Sequence, residues 1–326
     1  MSIYIPIDGK KQVKSIFGNV NGEMKKFTGM FGNVDGVVTK TFEEVIENSG
    51  RFVCVGKSGA SYYSLDGITW VAMSGLKNVQ YNSVCYGNGK FVCVGQSGNV
   101  AISFDGEMWT NLTINDDVNL KSVIYGKDRF VCVSDSGKSY YSLDGEIWIA
   151  MSGIGSGNYL YSVTFGKDRF VCTGYGKSYY SLDGVNWIAM SGLLSGGYFS
   201  TVVFGKDRFV CFNDTTYGKP YYSTDGETWV VGNEYNGNAM KAVTFGKDRF
   251  VCVGNYGESY YSLDGEAWIE MSGLKNTTYT CVAFGKDKFV TLYGAGFGYS
   301  GYSLNGETWT LIEEFADRIM YGVCYG

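Results

Sequence analysis

The side chains of this sequence that could do acid–base chemistry are its carboxylates, because none of the 326 residues is a histidine. The absence of histidine excludes a Ser-His-Asp triad and removes the commonest metal ligand. Two carboxylates about 5–10 Å apart could still hydrolyse a glycosidic bond. The candidates for such a pair are the acids that depart from the repeat described below: Asp116, Asp117, Asp214 and Glu234.

The spacing of the arginines argues against a cluster that would hold an acidic sugar. Only Arg318 stands apart, and the other five occupy one repeated place: Arg51, Arg129, Arg169, Arg208 and Arg249. A symmetric molecule would disperse these five around a ring. The sequence also has no phosphate-binding glycine loop and no EF-hand loop. We therefore predict a protein without catalytic residues, cofactor or metal, which is not an enzyme.

The secondary-structure elements that must position these side chains belong to a repeated sequence unit. The tryptophans all end copies of the phrase Ser-Leu-Asp-Gly-x-x-Trp or its variants: Trp70, Trp109, Trp148, Trp187, Trp229, Trp268 and Trp309. The copies are about 40 residues apart and contain four short strand-like runs each, which is typical of β-propeller blades. We expect each tryptophan to pack the outer strand against the neighbouring sheet.

One copy illustrates the predicted blade. Its strands, called A to D, are predicted at residues 161–165, 169–173, 177–181 and 185–190. The A–B turn is predicted at residues 166–168. We expect Asp183-Gly184 to form the hairpin turn between strands C and D, because Asp-Gly supplies the positive φ that such turns require.

The two ends of the repeated region complete each other. Residues 50–54 read as strand B without its strand A, and residues 320–325 read as strand A without its partners. Pairing them would remove the open seam of the ring. The sequence therefore predicts an all-β fold over residues 50–326, a seven-bladed β-propeller of four-stranded blades closed by a C-terminal strand that completes blade one.

Six of the nine cysteines share one position in strand B, and Thr291 takes that place in the last unit. Equivalent positions in neighbouring blades lie too far apart for disulfides, which need Cα atoms within about 7 Å. Their spacing also matches no zinc site. We expect them to be small buried apolar side chains: Cys54, Cys93, Cys132, Cys172, Cys211 and Cys252.

The phrase at residues 64–70 resembles the Asp-box, or BNR repeat, of sialidase-like propellers, although the usual box has one more residue between Asp and Gly. The phrase at residues 86–95 is similar to repeats of bacterial and phage surface proteins of the sialidase-like or WD40/YVTN-like type. The resemblance implies a structural role for the box aspartates, which would bond backbone amides of the turn: Asp66, Asp105, Asp144, Asp183, Asp225 and Asp264. In the last unit Asn305 replaces the aspartate.

Residues 1–45 form a different segment, in which residues 16–22 recur as residues 30–36. Its hairpin turn signals are Asp8-Gly9, Asn21-Gly22 and Asp35-Gly36. Because hairpins this small do not hold together alone in water, we expect an attachment segment that packs on the propeller, on another copy or on a larger assembly. The segment is similar to N-terminal segments of tail-associated phage proteins.

The two faces of the predicted propeller differ. The A–B and C–D turns repeat almost unchanged, and we interpret their Lys-Asp-Arg phrase as a solvated belt of mixed charge. The opposite face, here called the variable face, consists of the D-to-A connections and the B–C turns and is rich in Tyr, Asn and Gly. Tyrosine offers broad, rigid contact area for a ligand. The predicted ligand-binding residues are Tyr81, Tyr159, Tyr175, Tyr198, Tyr217, Tyr235, Tyr256 and Tyr279.

These features favour a non-enzymatic, lectin-like protein that binds surface carbohydrate, such as the receptor-binding propeller of a phage tail or cell surface. Two alternatives remain, which are a structural or assembly scaffold for a protein partner and a glycoside hydrolase that uses the acids named above. The expected partners are a surface glycan or host receptor, with tail, baseplate or self-assembly contacts through residues 1–45.

The charge and hydropathy of the chain limit its other partners. A net charge of −5 argues against nucleic acid, which requires clustered Lys and Arg. No apolar stretch reaches the roughly 20 residues that span a membrane. The first residues show no signal-peptide pattern. We expect a protein that is cytoplasmic when made and becomes virion-associated if it belongs to a phage.

Overall fold

The computed structural model describes residues 16–20, 23–34, 37–44 and 50–326, except 156, 194–195, 215–217, 234–236, 296–298 and 313–317. The chain divides into two compact units, residues 1–49 and 50–326. No helix in the described ranges is long and apolar enough to cross a bilayer. The predicted turns of the first unit lie outside the described residues: Asp8-Gly9, Asn21-Gly22 and Asp35-Gly36.

The first unit contains an antiparallel sheet with the strand order β1-β2-β3. Its strands are β1 (Ile16–Val20), β2 (Glu23–Val34) and β3 (Val37–Glu44). Val20 pairs with Glu23, and Val34 pairs with Val37. The repeated phrase therefore forms two hairpins of the same register, which share β2.

The described part of residues 50–326 forms seven four-stranded antiparallel sheets, with strand A innermost and strand D outermost. Strands B to D of blade 1 are β4 (Phe52–Gly56), β5 (Ser61–Ser64) and β6 (Val71–Ala72). Blades 2 to 4 have the strands β7 (Tyr81–Gly87), β8 (Lys90–Gly95), β9 (Asn99–Ser103), β10 (Thr110–Thr113), β11 (Leu120–Gly126), β12 (Arg129–Ser134), β13 (Ser139–Ser142), β14 (Ile149–Ala150), β15 (Tyr159–Gly166), β16 (Arg169–Tyr175), β17 (Tyr179–Ser181) and β18 (Ile188–Ala189).

The remaining blades repeat this arrangement. Blades 5 to 7 have the strands β19 (Phe199–Gly205), β20 (Arg208–Asn213), β21 (Pro220–Ser223), β22 (Val230–Val231), β23 (Met240–Gly246), β24 (Arg249–Gly254), β25 (Ser259–Ser262), β26 (Ile269–Glu270), β27 (Thr278–Gly285), β28 (Lys288–Ala295), β29 (Ser300–Ser303) and β30 (Thr310–Ile312). Single 3₁₀ turns occupy B–C connections at Lys57–Gly59, Gln96–Gly98 and Asn255–Gly257.

The ring is closed by the last strand, β31 (Met320–Tyr325). It pairs with β4 and places Val323 opposite Cys54. Beyond the strand, the Arg51 N–H donates to the Gly326 carbonyl at 2.7 Å, and the Gly326 N–H donates back at 3.1 Å. The predicted seven-bladed propeller and its closure by a C-terminal strand are therefore confirmed.

Strand B is buried on both faces because each blade packs between two others. In blade 1, Phe52 and Cys54 pack toward blade 7, whereas Val53 and Val55 pack toward blade 2. This alternation follows from the two-residue period of a strand. It recurs between each pair of neighbouring blades, so the apolar core is divided among the interfaces of the ring.

The repeated cysteines belong to this strand B pattern. As predicted, they are buried free thiols: Cys54, Cys93, Cys132, Cys172, Cys211 and Cys252. Burial raises the pKa of each thiol above its usual range. In blade 7 the hydroxyl of Thr291 donates to the Cys281 carbonyl at 2.9 Å, which satisfies the polar group that replaces the thiol.

The C–D turn differs from the prediction. Asp183 accepts hydrogen bonds from the backbone N–H groups of Val185 and Asn186, both at 2.8 Å. These bonds hold the chain in a loop, so strand D is limited to Ile188–Ala189 and is shorter than predicted. Only Gly184 has a positive φ, at 69°, so Asp183-Gly184 lies in the C–D turn without the positive φ that we predicted for both residues.

Equivalent aspartates make the same pair of amide bonds in the other blades: Asp66, Asp105, Asp144, Asp225 and Asp264. In blade 7 the side-chain oxygen of Asn305 accepts from the N–H groups of Glu307 and Thr308 at 3.0 and 3.1 Å. One side-chain oxygen therefore organises each C–D turn.

Positive φ at two successive residues occurs instead in the A–B turns. Lys167 and Asp168 have φ values of 46° and 56°. Lys167 Nζ donates to the Thr224 carbonyl of the next blade at 3.0 Å, and Arg169 forms an ion pair with Glu227 of that blade. The Lys-Asp-Arg phrases therefore link neighbouring blades, while their Lys and Asp side chains stay exposed, as expected of a solvated belt.

Candidate functional site

The predicted ligand-binding tyrosines occupy different environments. Tyr81 and Tyr279 are fully buried in the cores between blades. The hydroxyl of Tyr81 donates to Asn111 Oδ1 at 3.1 Å. This placement excludes both residues from the predicted ligand-binding set. Tyr217 and Tyr235 lie outside the described residues.

Three exposed tyrosines meet where blades 4 and 5 adjoin. The ring centroids of Tyr159 and Tyr175 are 6.0 Å apart, and those of Tyr175 and Tyr198 are 6.5 Å apart. Their exposed fractions are 43%, 44% and 37%, in chain order. Backbone pairing fixes these rings, because Tyr175 pairs with Tyr159 in its own blade and forms a bridge to Tyr198 of the next. Tyr256, which is 65% exposed, lies in a B–C turn of blade 6.

A fourth ring joins this cluster and was not predicted. Tyr161 stacks on Tyr198 with ring centroids 4.6 Å apart and an angle of 30° between the planes. Burial and a hydrogen bond shared with Tyr198 raise the pKa of Tyr161, so its hydroxyl stays protonated. We call Tyr159, Tyr161, Tyr175 and Tyr198 the tyrosine platform. Sequence reasoning assigned Tyr161 to strand A and missed it, although its position varies between the repeated units.

Tyr161 also lines a central cavity of about 160 Å³. In every blade the pairing of strand A with strand B skips one residue, as it does between Leu160 and Ser162. Such a bulge turns the side chain of the skipped residue in a new direction. We call the skipped residues the channel-mouth ring, which in blade order consists of Tyr321, Asn82, Lys121, Tyr161, Ser200, Lys241 and Thr280.

A second cavity, of about 370 Å³, lies at blades 2 and 3 on the variable face and has polar walls. It is lined by Gln96, Ser97, Asp117, Val118, Asn119, Asp135 and Ser136. Asn119 Nδ2 donates to Asp135 Oδ2 at 2.7 Å, and Lys121 Nζ lies 3.6 Å from the same oxygen. The charge of Asp135 also contributes to the raised pKa of Tyr161. The Asn119–Asp135 pair therefore borders this cavity, and Lys121 connects it to the channel-mouth ring, to which Tyr161 of the tyrosine platform also belongs.

Two of the other acids considered for glycoside hydrolysis, Asp116 and Asp214, have cationic partners. Asp116 accepts from Lys138 Nζ at 2.7 Å, and this bond helps to hold its pKa below the usual range. The side chain of Asp214 is only 8% exposed, and its Oδ2 lies 2.7 Å from Lys241 Nζ. Glu234 lies outside the described residues.

No family model matches this chain, and no curated protein matches its sequence. Solved structures do match it. A structure of YCF48 bound to D1 peptide has 16% sequence identity and a TM-score of 0.59, covering 84% of this chain and 88% of YCF48. Virginiamycin B lyase from Staphylococcus aureus has 9% identity and a TM-score of 0.60, covering 76% of this chain and 92% of the lyase.

A third structure, the Pan2 WD40 domain of Neurospora crassa, has 12% identity and a TM-score of 0.54, covering 76% of this chain and 79% of that domain. At these identities the likeness shows the fold alone, which is a β-propeller. One of the three structures holds a peptide and another is a lyase. The fold therefore does not decide whether the chain is an enzyme.

Proposed function

We propose that this propeller is a non-enzymatic recognition protein that binds surface carbohydrate at the tyrosine platform. The supporting observation is that four aromatic rings cluster beside the channel mouth, whose Lys121 also reaches the Asn119–Asp135 pair of the variable face. Tyrosine rings offer a flat apolar surface to the faces of sugar rings, with a polar hydroxyl at one end. Asp135 and Asn119 offer an acceptor and a donor for sugar hydroxyls. The setting we propose is a phage tail or a bacterial cell surface, with residues 1–45 as the attachment segment.

The first test is a glycan array probed with the full chain and with Tyr198→Ala. Tyr198 contacts both Tyr161 and Tyr175, so its removal breaks the platform at its centre. We expect affinity for the bound glycans to fall about tenfold or more, the equivalent of losing one aromatic contact. The matched control is Tyr256→Ala, because Tyr256 is exposed on the variable face in another blade. Equal losses in the two variants would contradict a role for the platform.

A protein ligand is the second candidate, and one observation favours it. β16 extends to Tyr175, which bridges to Tyr198 across the blade interface, so extended backbone is present at the platform. YCF48, which shares the fold, has been solved with a bound peptide. Pull-downs with residues 1–45 and with the full chain as separate baits would distinguish the two candidates. Capture that needs the full chain and is lost in Tyr198→Ala, without any glycan hit, would favour the protein ligand.

We infer that the protein does not hydrolyse glycosides. The acids Asp116 and Asp214 are held by Lys138 and Lys241, which leaves neither as an unpaired general base. No release of nitrophenol from a panel of nitrophenyl glycosides is expected. Turnover that disappears in Asp117→Asn would contradict this inference, because Asp117 lines the polar cavity.

A further inference from the structure

The channel-mouth ring varies between blades, whereas one nearby position of strand A does not. Two residues further along strand A, every blade has valine: Val84, Val123, Val163, Val202, Val243, Val282 and Val323. The ring itself has two lysines, two tyrosines, an asparagine, a serine and a threonine. Because the bulge recurs with all of these side chains, the fold does not depend on any one of them. The variation points to a role other than packing.

The two lysines of the ring are balanced by nearby carboxylates. Lys241 Nζ lies 2.7 Å from Asp214 Oδ2, and Lys121 Nζ lies 3.6 Å from Asp135 Oδ2. A charged ligand would therefore lose its hydration here without meeting an uncompensated opposite charge. The charge balance favours an uncharged ligand.

Two small residues of the ring present hydrogen-bond acceptors. Ser200 Oγ donates to the Met240 carbonyl at 3.0 Å, and Thr280 Oγ1 donates to the Met320 carbonyl at 2.5 Å. Each hydroxyl hydrogen is thus committed to the next blade, and each oxygen keeps its acceptor capacity. Both residues line the central cavity, so a ligand there meets oxygens that accept from its own hydroxyl groups.

We propose that the channel mouth is a subsite for one uncharged terminal sugar residue of a glycan held on the tyrosine platform, an inference that rests on the proposed function. The cavity of about 160 Å³ suits a single sugar ring, since sites for drug-sized ligands begin at about 300 Å³. Tyr161 belongs to both the ring and the platform, so the glycan would pass from Tyr159 and Tyr175 over Tyr161 into the mouth. Its terminal hydroxyls would donate to Ser200 and Thr280.

The test uses the full chain on an array of neutral and acidic oligosaccharides. The neutral probes are malto-, cello-, chito- and xylo-oligosaccharides, and the acidic probes are oligogalacturonates and sialyllactose. The variants Ser200→Tyr and Thr280→Tyr, singly and together, fill the mouth with a side chain that the fold already holds at Tyr161 and Tyr321. We expect binding of neutral glycans to weaken about tenfold or more, as the lost hydrogen bonds imply. The control Ile147→Tyr places the same side chain at a 71% exposed position of a C–D turn on the opposite face, and it should bind like the wild type.

The possible failures are distinguishable. If the wild type binds none of these probes, the proposed function fails together with the subsite. If it binds them and Tyr198→Ala weakens binding, but the filled variants bind normally, only the subsite is overturned. A preference for the acidic probes also overturns it. If the filled variants do not fold, Thr280→Val replaces them, and unchanged binding in that variant overturns the subsite.

Discussion

At the scale of single residues, the C–D turns depend on one side-chain oxygen each. Asp183 binds two backbone amides, and the Gly184 N–H donates to Ser181 Oγ at 2.9 Å. Although partial burial acts to raise the pKa of Asp183, the bonds from Asn186 and Val185 outweigh it and hold the pKa below the usual range. The carboxylate form is therefore the one that the folded turn prefers.

This preference predicts a loss of stability in acid. Because the folded-state pKa of the turn aspartates is lowered, their contribution is complete above about pH 4, the unfolded-state pKa, and is lost as the pH falls toward the folded-state value. Thermal melts between pH 2 and 6 measure this. Asp183→Asn should retain the turn, as Asn305 does, and its melting temperature should depend less on pH below pH 4 than that of the wild type. Asp183→Ala should cost about 1 kcal/mol at neutral pH, and no difference between the two variants would contradict the account.

Residue types alone located part of the candidate site. Tyr159, Tyr175 and Tyr198 were predicted and lie together, because the connections between strands bring them to one face. Tyr81 was also predicted but is buried, because it begins β7 just before the bulge and its ring enters the blade interface. Tyr161 was missed because simple alternation along a strand gives no sign of a bulge.

At the scale of elements, the A–B turns combine strain with a link between blades. Five blades place Lys and Asp at positive φ, which costs a non-glycine residue roughly 1–2 kcal/mol. Blade 2 uses Asn88-Gly89 at the same place, with φ values of 48° and 71°. The lysine side chain offsets part of the strain by reaching a carbonyl of the next blade.

Replacing the second turn residue should therefore stabilise the protein. Asp168→Gly relieves one strained residue and leaves Lys167 and its bond to the Thr224 carbonyl in place. We expect the free energy of unfolding to rise by up to about 1 kcal/mol. The gain is reduced because glycine has more conformational entropy than aspartate in the unfolded chain. Urea unfolding at neutral pH measures it. Asp168→Ala, the matched variant, should destabilise, and a gain there would show that backbone conformation is not the cause.

The elements themselves were largely predictable because the repeat shows the strand pattern in each of its copies. Strand D was the exception. The phrase Asp183-Gly184 suggested a tight hairpin, but the amides that Asp183 binds keep the following residues out of the ladder until Ile188. A side chain that competes with the sheet for backbone donors cannot be recognised from hydrophobic alternation.

At the scale of the whole molecule, closure depends on β31. Deleting residues 321–326 removes strand A of blade 1 and uncovers Phe52. The ring centroids of Phe52 and Tyr325 are 4.9 Å apart. We expect a fall in melting temperature of roughly 10 °C or more, because a core between two blades is lost. Tyr321→Ser is the control, since serine occupies the same bulge in blade 5 as Ser200. Equal melting of the truncated and full-length chains would contradict closure by this strand.

The described lysine links of the A–B turns run in one direction around the ring, from each blade to the next. Lys206 of blade 5 donates to the Leu263 carbonyl of blade 6, and Lys286 of blade 7 donates to the Leu65 carbonyl of blade 1 at 2.9 Å. An interface of this head-to-tail kind closes when its rotation completes a circle, and otherwise it propagates. In the closed ring, blade 7 contacts blade 1 of the same chain. If the seam opened, the same surface of blade 7 could contact blade 1 of a second chain. The final strand thus keeps this surface within one ring and away from a second chain.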